Sequence, residues 1–194
     1  MSDFGAPVLL VFQGLITLAL LRMLLAYRGQ SWRDLGLDQL RAWNIIEAFY
    51  AFLVCFCANL LFMGLILMLN PNLLEDHIQG LGEISERLSK DMPLPGLLGL
   101  LLFIGVYEEL IARGFLLTRF QIIFGGRWGP VISSSVIFGL GHFYQGWIGI
   151  AQTTVIGAVL AYLTLHWRSL WPAIIAHSSL NLVSILTLEA IAAT

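Results

Sequence analysis

Long apolar runs separated by short polar connectors dominate the chain. Each run reaches or approaches the roughly 20 residues that an α-helix needs to cross the hydrocarbon core of a bilayer. The pattern therefore predicts an all-α membrane protein, a multi-pass transmembrane helical bundle with roughly six spans. The predicted spans are residues 7–27, 44–69, 96–118, 130–144, 147–165 and 171–188.

The connectors on one side of the predicted bundle are rich in arginine. These connectors are Arg28–Trp43, Arg119–Gly129 and His166–Ser169, whereas the opposite side carries only Arg87 and Lys90. Because positive charge in short loops favours the cytoplasm, we expect the three connectors to be cytoplasmic. If the source is prokaryotic, the protein is expected in the cytoplasmic membrane.

The one long polar segment, residues 73–95, is expected to be an acidic loop on the opposite side. Within it we predict a short surface helix at 83–90, ended by prolines, and a solvated His77. The chain then divides into two parts. Residues 1–95 form an N-terminal transmembrane pair with an amphipathic connector and the acidic loop, and residues 96–194 form the functional core.

Composition agrees with this pattern. The chain is 58% hydrophobic and only 11% charged, with a mean hydropathy of +0.85, against about 25% charge in soluble domains. A formal charge of -2 without a basic block gives no indication of nucleic-acid binding. Membrane lipid is therefore an expected partner, and nucleic acid is not.

Ionisable and amide side chains interrupt three of the spans. Such groups are costly inside a membrane, so they need partners or a wet cavity, and they are functional candidates. At about 1.5 Å rise per residue, those of the three spans share a layer roughly 10–18 Å from the cytoplasmic helix ends. The candidates are Glu108, Glu109, Arg113, His142, His177 and Asn181.

The spacing of these residues predicts different roles. Glu109 and Arg113 are four residues apart on one helix face and can pair, which leaves Glu108, about 100° around the helix, for another partner. His177 and Asn181 are also four apart and share one face. A carboxylate, two imidazoles and an amide can activate water and stabilise a tetrahedral intermediate.

Three short motifs resemble those of the CPBP family of intramembrane proteases. That family includes the type II CAAX prenyl endopeptidases and bacterial Abi or bacteriocin-processing relatives. An E-E-x-x-x-R pattern occupies residues 108–113, F-x-x-x-H occupies 138–142, and H-x-x-x-N occupies 177–181. The resemblance extends over residues 96–188 and implies a CPBP-type protease core. Eukaryotic members are longer, so the chain resembles a compact prokaryotic relative, and a prenylated substrate does not follow.

The resemblance also implies residue roles. Glu108 would activate water with help from His142, while His177 and Asn181 would form the oxyanion site. Glu109 and Arg113 would support the motif helix. The family has been described both as metal-dependent and as metal-independent. Zinc held by Glu108, His142 and His177 would be chemically reasonable, and we favour metal-independent water activation.

The expected activity is intramembrane cleavage of a peptide bond in a membrane-associated or lipidated peptide or protein. The wet opening of the site is expected on the cytoplasmic side. The alternative function is a non-catalytic membrane scaffold or immunity factor that uses the same polar cavity for binding. A third interpretation, a proton-coupled transporter, is disfavoured because the sequence shows no inverted repeat.

Overall fold

The computed structural model describes residues 5–90 and 92–192, and in that part of the chain there is no β-strand. Five helical segments are long and apolar enough to cross a membrane, and a sixth apolar helix is shorter. The predicted all-α, multi-pass bundle with roughly six spans is confirmed. The helices are α1 Gly5–Tyr27, α2 Ala42–Leu69, α3 Pro71–Ser89, α4 Leu94–Glu109, α5 Leu117–Phe124, α6 Trp128–Leu140, α7 Gly146–Trp167 and α8 Trp171–Ala192.

The third span is longer than predicted and changes its winding where the charged residues lie. A π-helical segment, Leu110–Leu116, joins α4 to α5, so that the span runs from Leu94 to Phe124. Widened turns of this kind are frequent at functional sites. The predicted end at residue 118 was too early, because the backbone stays helical up to Gly125, which has a positive φ of 61°.

The segment predicted to be an acidic loop is instead the amphipathic helix α3. Asn70 caps its start, since the Asn70 Oδ1 accepts a hydrogen bond from the Asn72 backbone N–H at 3.1 Å. Apolar side chains recur at intervals of three and four residues, and the acidic residues occupy the other face. The apolar face covers the end of the bundle with Leu74, Ile78, Leu81, Ile84 and Leu88, which are all partly buried.

His77 was expected to be solvated, and this prediction was wrong. Its side chain lies on the inner face of α3 and is buried. The His77 Nε2 atom is 2.9 Å from the Oε1 of Gln152 on α7, and the Gln152 Nε2 donates to the Oδ1 of Asn59 on α2 at 2.6 Å. This polar chain ties α3 to two membrane-spanning helices.

Glycines allow the helices that carry the motifs to approach closely. A methyl group at Gly105 on α4 would collide with Ser178 and lie 3.3 Å from the Ile174 carbonyl on α8. A methyl group at Gly139 on α6 would collide with Thr154 and lie 2.7 Å from the Ile150 carbonyl on α7. Small residues at such contacts are a common means of membrane helix packing. Here they allow α4 to pack closely on α8, and α6 to pack closely on α7.

The N-terminal helices share their packing with the C-terminal ones. Ala51 and Cys55 of α2 lie in one buried cluster with Leu160 of α7 and Ala176 of α8. Many apolar side chains on the outer faces of α1 and α2 are exposed, as expected for surfaces that contact lipid. The division into units 1–95 and 96–194 stays a prediction from the sequence.

Candidate active site

Glu109, Arg113 and His177 form a buried ionic cluster between the motif helix and α8. The Glu109 Oε1 accepts a hydrogen bond from Arg113 Nη1 at 2.7 Å and lies 2.8 Å from His177 Nδ1. Glu109 is 0% exposed and Arg113 is 1% exposed. Arg113 also donates through Nη2 to the Gly157 carbonyl at 3.2 Å. A buried carboxylate needs such partners, so this cluster joins α4, α7 and α8.

Glu108 lies beside this cluster but has a different environment. The Glu108 Oε2 atom is buried and has no hydrogen-bond partner among the described residues. It lies 3.6 Å from His177 Nε2 and 3.8 Å from His142 Nε2. The other oxygen, Oε1, accepts one long hydrogen bond of 3.4 Å from the Tyr107 hydroxyl. Glu108 therefore faces two imidazole rings without a close donor.

The remaining contacts of the two rings determine which nitrogen faces Glu108. The His142 Nδ1 lies 2.9 Å from the Phe138 carbonyl oxygen, which can only accept. The His177 Nδ1 lies 2.8 Å from the Glu109 carboxylate. Each Nδ1 consequently carries a proton, and the Nε2 atom is the nitrogen of each ring that faces Glu108. In a neutral ring this Nε2 is an acceptor, and in a doubly protonated ring it is a donor.

Phe138, the aromatic residue four positions before His142, contacts several side chains of the site. Its ring centroid lies 4.7 Å from that of His142 and 5.8 Å from that of His177, in an edge-on arrangement for the second. The Arg113 guanidinium lies over the same ring at 4.2 Å, a cation–π contact. One aromatic side chain therefore contacts both imidazoles and the arginine.

Asn181 lines the cavity that these residues form, one helical turn beyond His177. The cavity has a volume of about 130 Å³ and continues into a neighbouring space of about 140 Å³. Both spaces are lined by His142, His177 and Asn181. The structure thus brings together Glu108, the two histidines and Asn181, with the Glu109–Arg113 pair directly behind them.

Several residues of this cavity were not among the sequence-based candidates. Tyr144 and Gln145 line it from the turn after α6, and Gln152 lines it from α7. The Tyr144 ring stacks on His142 with centroids 5.8 Å apart. Closeness in sequence to His142 could have indicated Tyr144 and Gln145. No local pattern indicates Gln152, which a distant helix supplies.

The cavity is not on the side expected from the sequence. Its lining includes Leu81, Ile84 and Ser85 of α3, together with the turn that follows α6. These elements lie at the end of the bundle opposite the arginine-rich connectors. The expected opening on the connector side is therefore wrong, because the depth estimate gave distances along helices and not the end at which the helices separate.

The three predicted metal ligands, Glu108, His142 and His177, lie on α4, in the turn after α6 and on α8. Within residues 5–90 and 92–192, no group of three or more His, Cys, Asp and Glu side chains is arranged to hold a metal ion. Glu108, His142 and His177 supply suitable donor atoms, but not a preformed three-ligand site.

Fold and site together define a multi-pass integral membrane protein with a buried carboxylate–imidazole cluster. A family model described as type II CAAX prenyl endopeptidase Rce1-like matches residues 90–183, a range that contains all three motifs. This region of the chain is therefore similar to the CAAX-type endopeptidases of the CPBP family of intramembrane proteases. No curated protein and no solved structure gives a significant match.

Proposed function

We propose that this protein hydrolyses a peptide bond at membrane depth by water activated on Glu108 and His142. The observation that supports it most directly is the buried Glu108 Oε2 atom, which has no hydrogen bond to a described residue and lies within 3.8 Å of the Nε2 atoms of both imidazoles. Acceptors in such a place need a donor, and water supplies two O–H groups. The similarity of residues 90–183 to a family of endopeptidases also supports hydrolysis of a peptide bond.

The first chemical step is attack of the bound water on the carbonyl carbon of the scissile bond. The Glu108 carboxylate takes one water proton, and the His142 Nε2 holds the other O–H as an acceptor. The new C–O bond forms as the carbonyl π electrons move to the carbonyl oxygen. General-base catalysis of this type contributes about 10²–10⁴-fold to a rate. Phe138 and its carbonyl hold His142 in the required orientation.

The tetrahedral oxyanion needs hydrogen-bond donors. The Asn181 amide supplies one, and His177 supplies another when its ring carries both protons. The Glu109 carboxylate, 2.8 Å from Nδ1, holds this ring in position. Collapse of the intermediate returns the electrons to the carbonyl. The C–N bond then breaks, and the proton on Glu108 passes to the leaving amine.

The proposed substrate is a peptide or protein segment held at the membrane, including a lipidated one. Apolar residues of α1, α3 and α8 line the cavity beside the polar site, among them Leu10, Leu88 and Leu188. Such walls favour an apolar chain and exclude bulk water. The cavity volume of about 130 Å³ is small beside that of a peptide.

The proposal is tested by comparing membrane peptides in cells that carry the wild type or Glu108→Gln. Loss of specific cleavage products in Glu108→Gln and also in His142→Ala is expected, with both variants present at wild-type levels in the membrane. Glu75→Gln, on the exposed face of α3, is the matched control. If the products persist in both site variants, the protein acts by binding and not by hydrolysis.

A second assay, which measures peptide cleavage by the purified protein, examines metal dependence. Purified protein is treated with a chelator and then supplied with Zn²⁺. Activity that persists after chelation is the expected result for catalysis by side chains alone. Loss that only the metal reverses would show that Glu108 and the two histidines hold an ion, which would change the role of Glu108 from base to ligand.

A further inference from the structure

A second and larger cavity lies at the arginine-rich end of the bundle. Its volume is about 720 Å³. It is bounded by a 3₁₀ turn, Trp32–Leu35, by the start of α5, by the turn before α6 and by the end of α7. Arg113 is among the lining residues, so the inner end of the cavity reaches the reverse side of the Glu109–Arg113 pair. No residue of the proposed reaction other than Arg113 lines it.

The mouth of this cavity carries positive charge that the protein does not neutralise. Arg33, Arg127 and Arg168 line it and are exposed. Neither Arg33 nor Arg168 takes part in an ion pair with a described residue. The acidic residue of the lining is Asp34, whose Oδ2 already accepts hydrogen bonds from the Ser31 backbone and hydroxyl.

Two buried hydroxyl groups in the wall have no partner. Thr164 and Ser169 are 8% and 6% exposed, and neither hydroxyl oxygen has a hydrogen bond among the described residues. Helical threonines elsewhere in the chain bond back to a carbonyl four residues earlier, as Thr118 and Thr154 do. Thr164 does not, although the same bond would satisfy it. Unpartnered buried hydroxyls are costly unless a ligand uses them.

We propose that this cavity binds a phosphate group, carried either by an anionic phospholipid or by a soluble phosphate compound. Arginine guanidinium groups match phosphate oxygens with paired N–H donors, and the Thr164 and Ser169 hydroxyls add donors deeper in the wall. The volume admits a phosphate with a substituent. Because the arginine-rich connectors are expected on the cytoplasmic side, the cavity faces the leaflet surface where anionic lipids are concentrated.

The test measures thermal unfolding of the purified full-length protein in a neutral detergent. Short-chain phosphatidylglycerol is titrated in one series and inorganic phosphate in another, with chloride at equal ionic strength as the reference. A saturable rise in unfolding temperature is expected for the wild type. Response to both probes shows that the phosphate group suffices. Response to phosphatidylglycerol alone identifies the lipid as the source, and response to neither overturns the proposal.

Variants separate the cavity from general basic charge. Arg33→Gln combined with Arg168→Gln should raise the apparent Kd at least about tenfold. Arg28→Gln, which removes one exposed charge at the same end but outside the cavity, should leave it unchanged. Thr164→Val combined with Ser169→Ala should also weaken binding. Neither hydroxyl has a hydrogen bond to a described residue, so the two substitutions remove none from the folded protein. Equal weakening by Arg28→Gln, or wild-type binding in both cavity variants, would contradict the proposal.

Discussion

Two adjacent carboxylates on one helix have opposite surroundings. Glu109 is fully buried, and one of its oxygens contacts both a guanidinium and an imidazole at less than 3 Å. Glu108 is 18% exposed at the side chain, and its Oε2 atom lies 3.6 and 3.8 Å from the two imidazoles. The first arrangement stabilises a helix contact, whereas the second leaves an oxygen free to act. Adjacent acids in a motif therefore need not share a role.

This difference between the two carboxylates predicts that the buried contacts of Glu109 stabilise the fold. Arg113→Ala would leave Glu109 buried with only His177 as a partner, and breaking a buried pair typically costs about 3–5 kcal/mol. We expect a loss of that size in the free energy of unfolding of the purified protein. The control is Lys90→Ala, which removes an exposed pair with Glu86 at 3.2 Å and should change it by less than about 1 kcal/mol. Similar effects of the two changes would contradict the comparison.

Substitutions in the cavity beside Glu108 should instead lower the rate of catalysis and leave the stability of the protein unchanged. Asn181→Leu removes the amide assigned to the oxyanion, so kcat should fall about 10²–10³-fold, as is usual when such a donor is lost. The unfolding temperature should change little, because no hydrogen bond of Asn181 to a described residue is lost. A fall confined to substrate affinity, measured as KM, would assign Asn181 to binding and not to the oxyanion.

The hydrogen-bonded chain from His77 through Gln152 to Asn59, which connects α3 to α7 and α2, can be broken by a substitution at His77. His77→Leu removes the partner of Gln152 and should cost about 1–3 kcal/mol, since a buried amide loses its hydrogen bond. The loss should appear first as faster hydrogen exchange in α3, with α4 and α8 unaffected. Asp76→Asn, on the exposed side of the same helix, is the control. Uniform exchange changes across the bundle would show that α3 is not a separate unit.

The smallest effect concerns an exposed carboxylate outside the spans. The backbone N–H and hydroxyl of Ser31 lower the pKa of Asp34 below 3.8. Because the folded-state pKa is depressed, this contribution to stability is present above the unfolded-state pKa and is lost as pH falls through the folded value. An NMR titration of the Asp34 carboxyl carbon should show the lowered midpoint, and Ser31→Ala should move it part of the way back. An unchanged midpoint would exclude the Ser31 hydroxyl as a cause.

Sequence patterns predicted the spans and placed Glu108, His142 and His177 at one depth, because helix length and the cost of buried charge are local properties. The position of α3 was not predicted. Its many charged residues suggested a loop. The packing of its apolar face over the cavity depends on the positions of the other helices, which the local sequence does not give. Gln152, which holds His77, was missed for the same reason. Tertiary packing also decides which end of the bundle opens, so the side of the cavity was predicted wrongly.

The most direct test of the central claim compares Glu108→Gln with the wild type in one reconstituted sample, with cleavage rate and unfolding temperature both measured. Because Glu108 Oε2 is buried without a hydrogen bond, removal of its charge should leave the unfolding temperature unchanged or raise it. The cleavage rate should fall at least about 10²-fold. Retained cleavage, or a loss of cleavage that only accompanies unfolding, would contradict the assignment of Glu108 as the base.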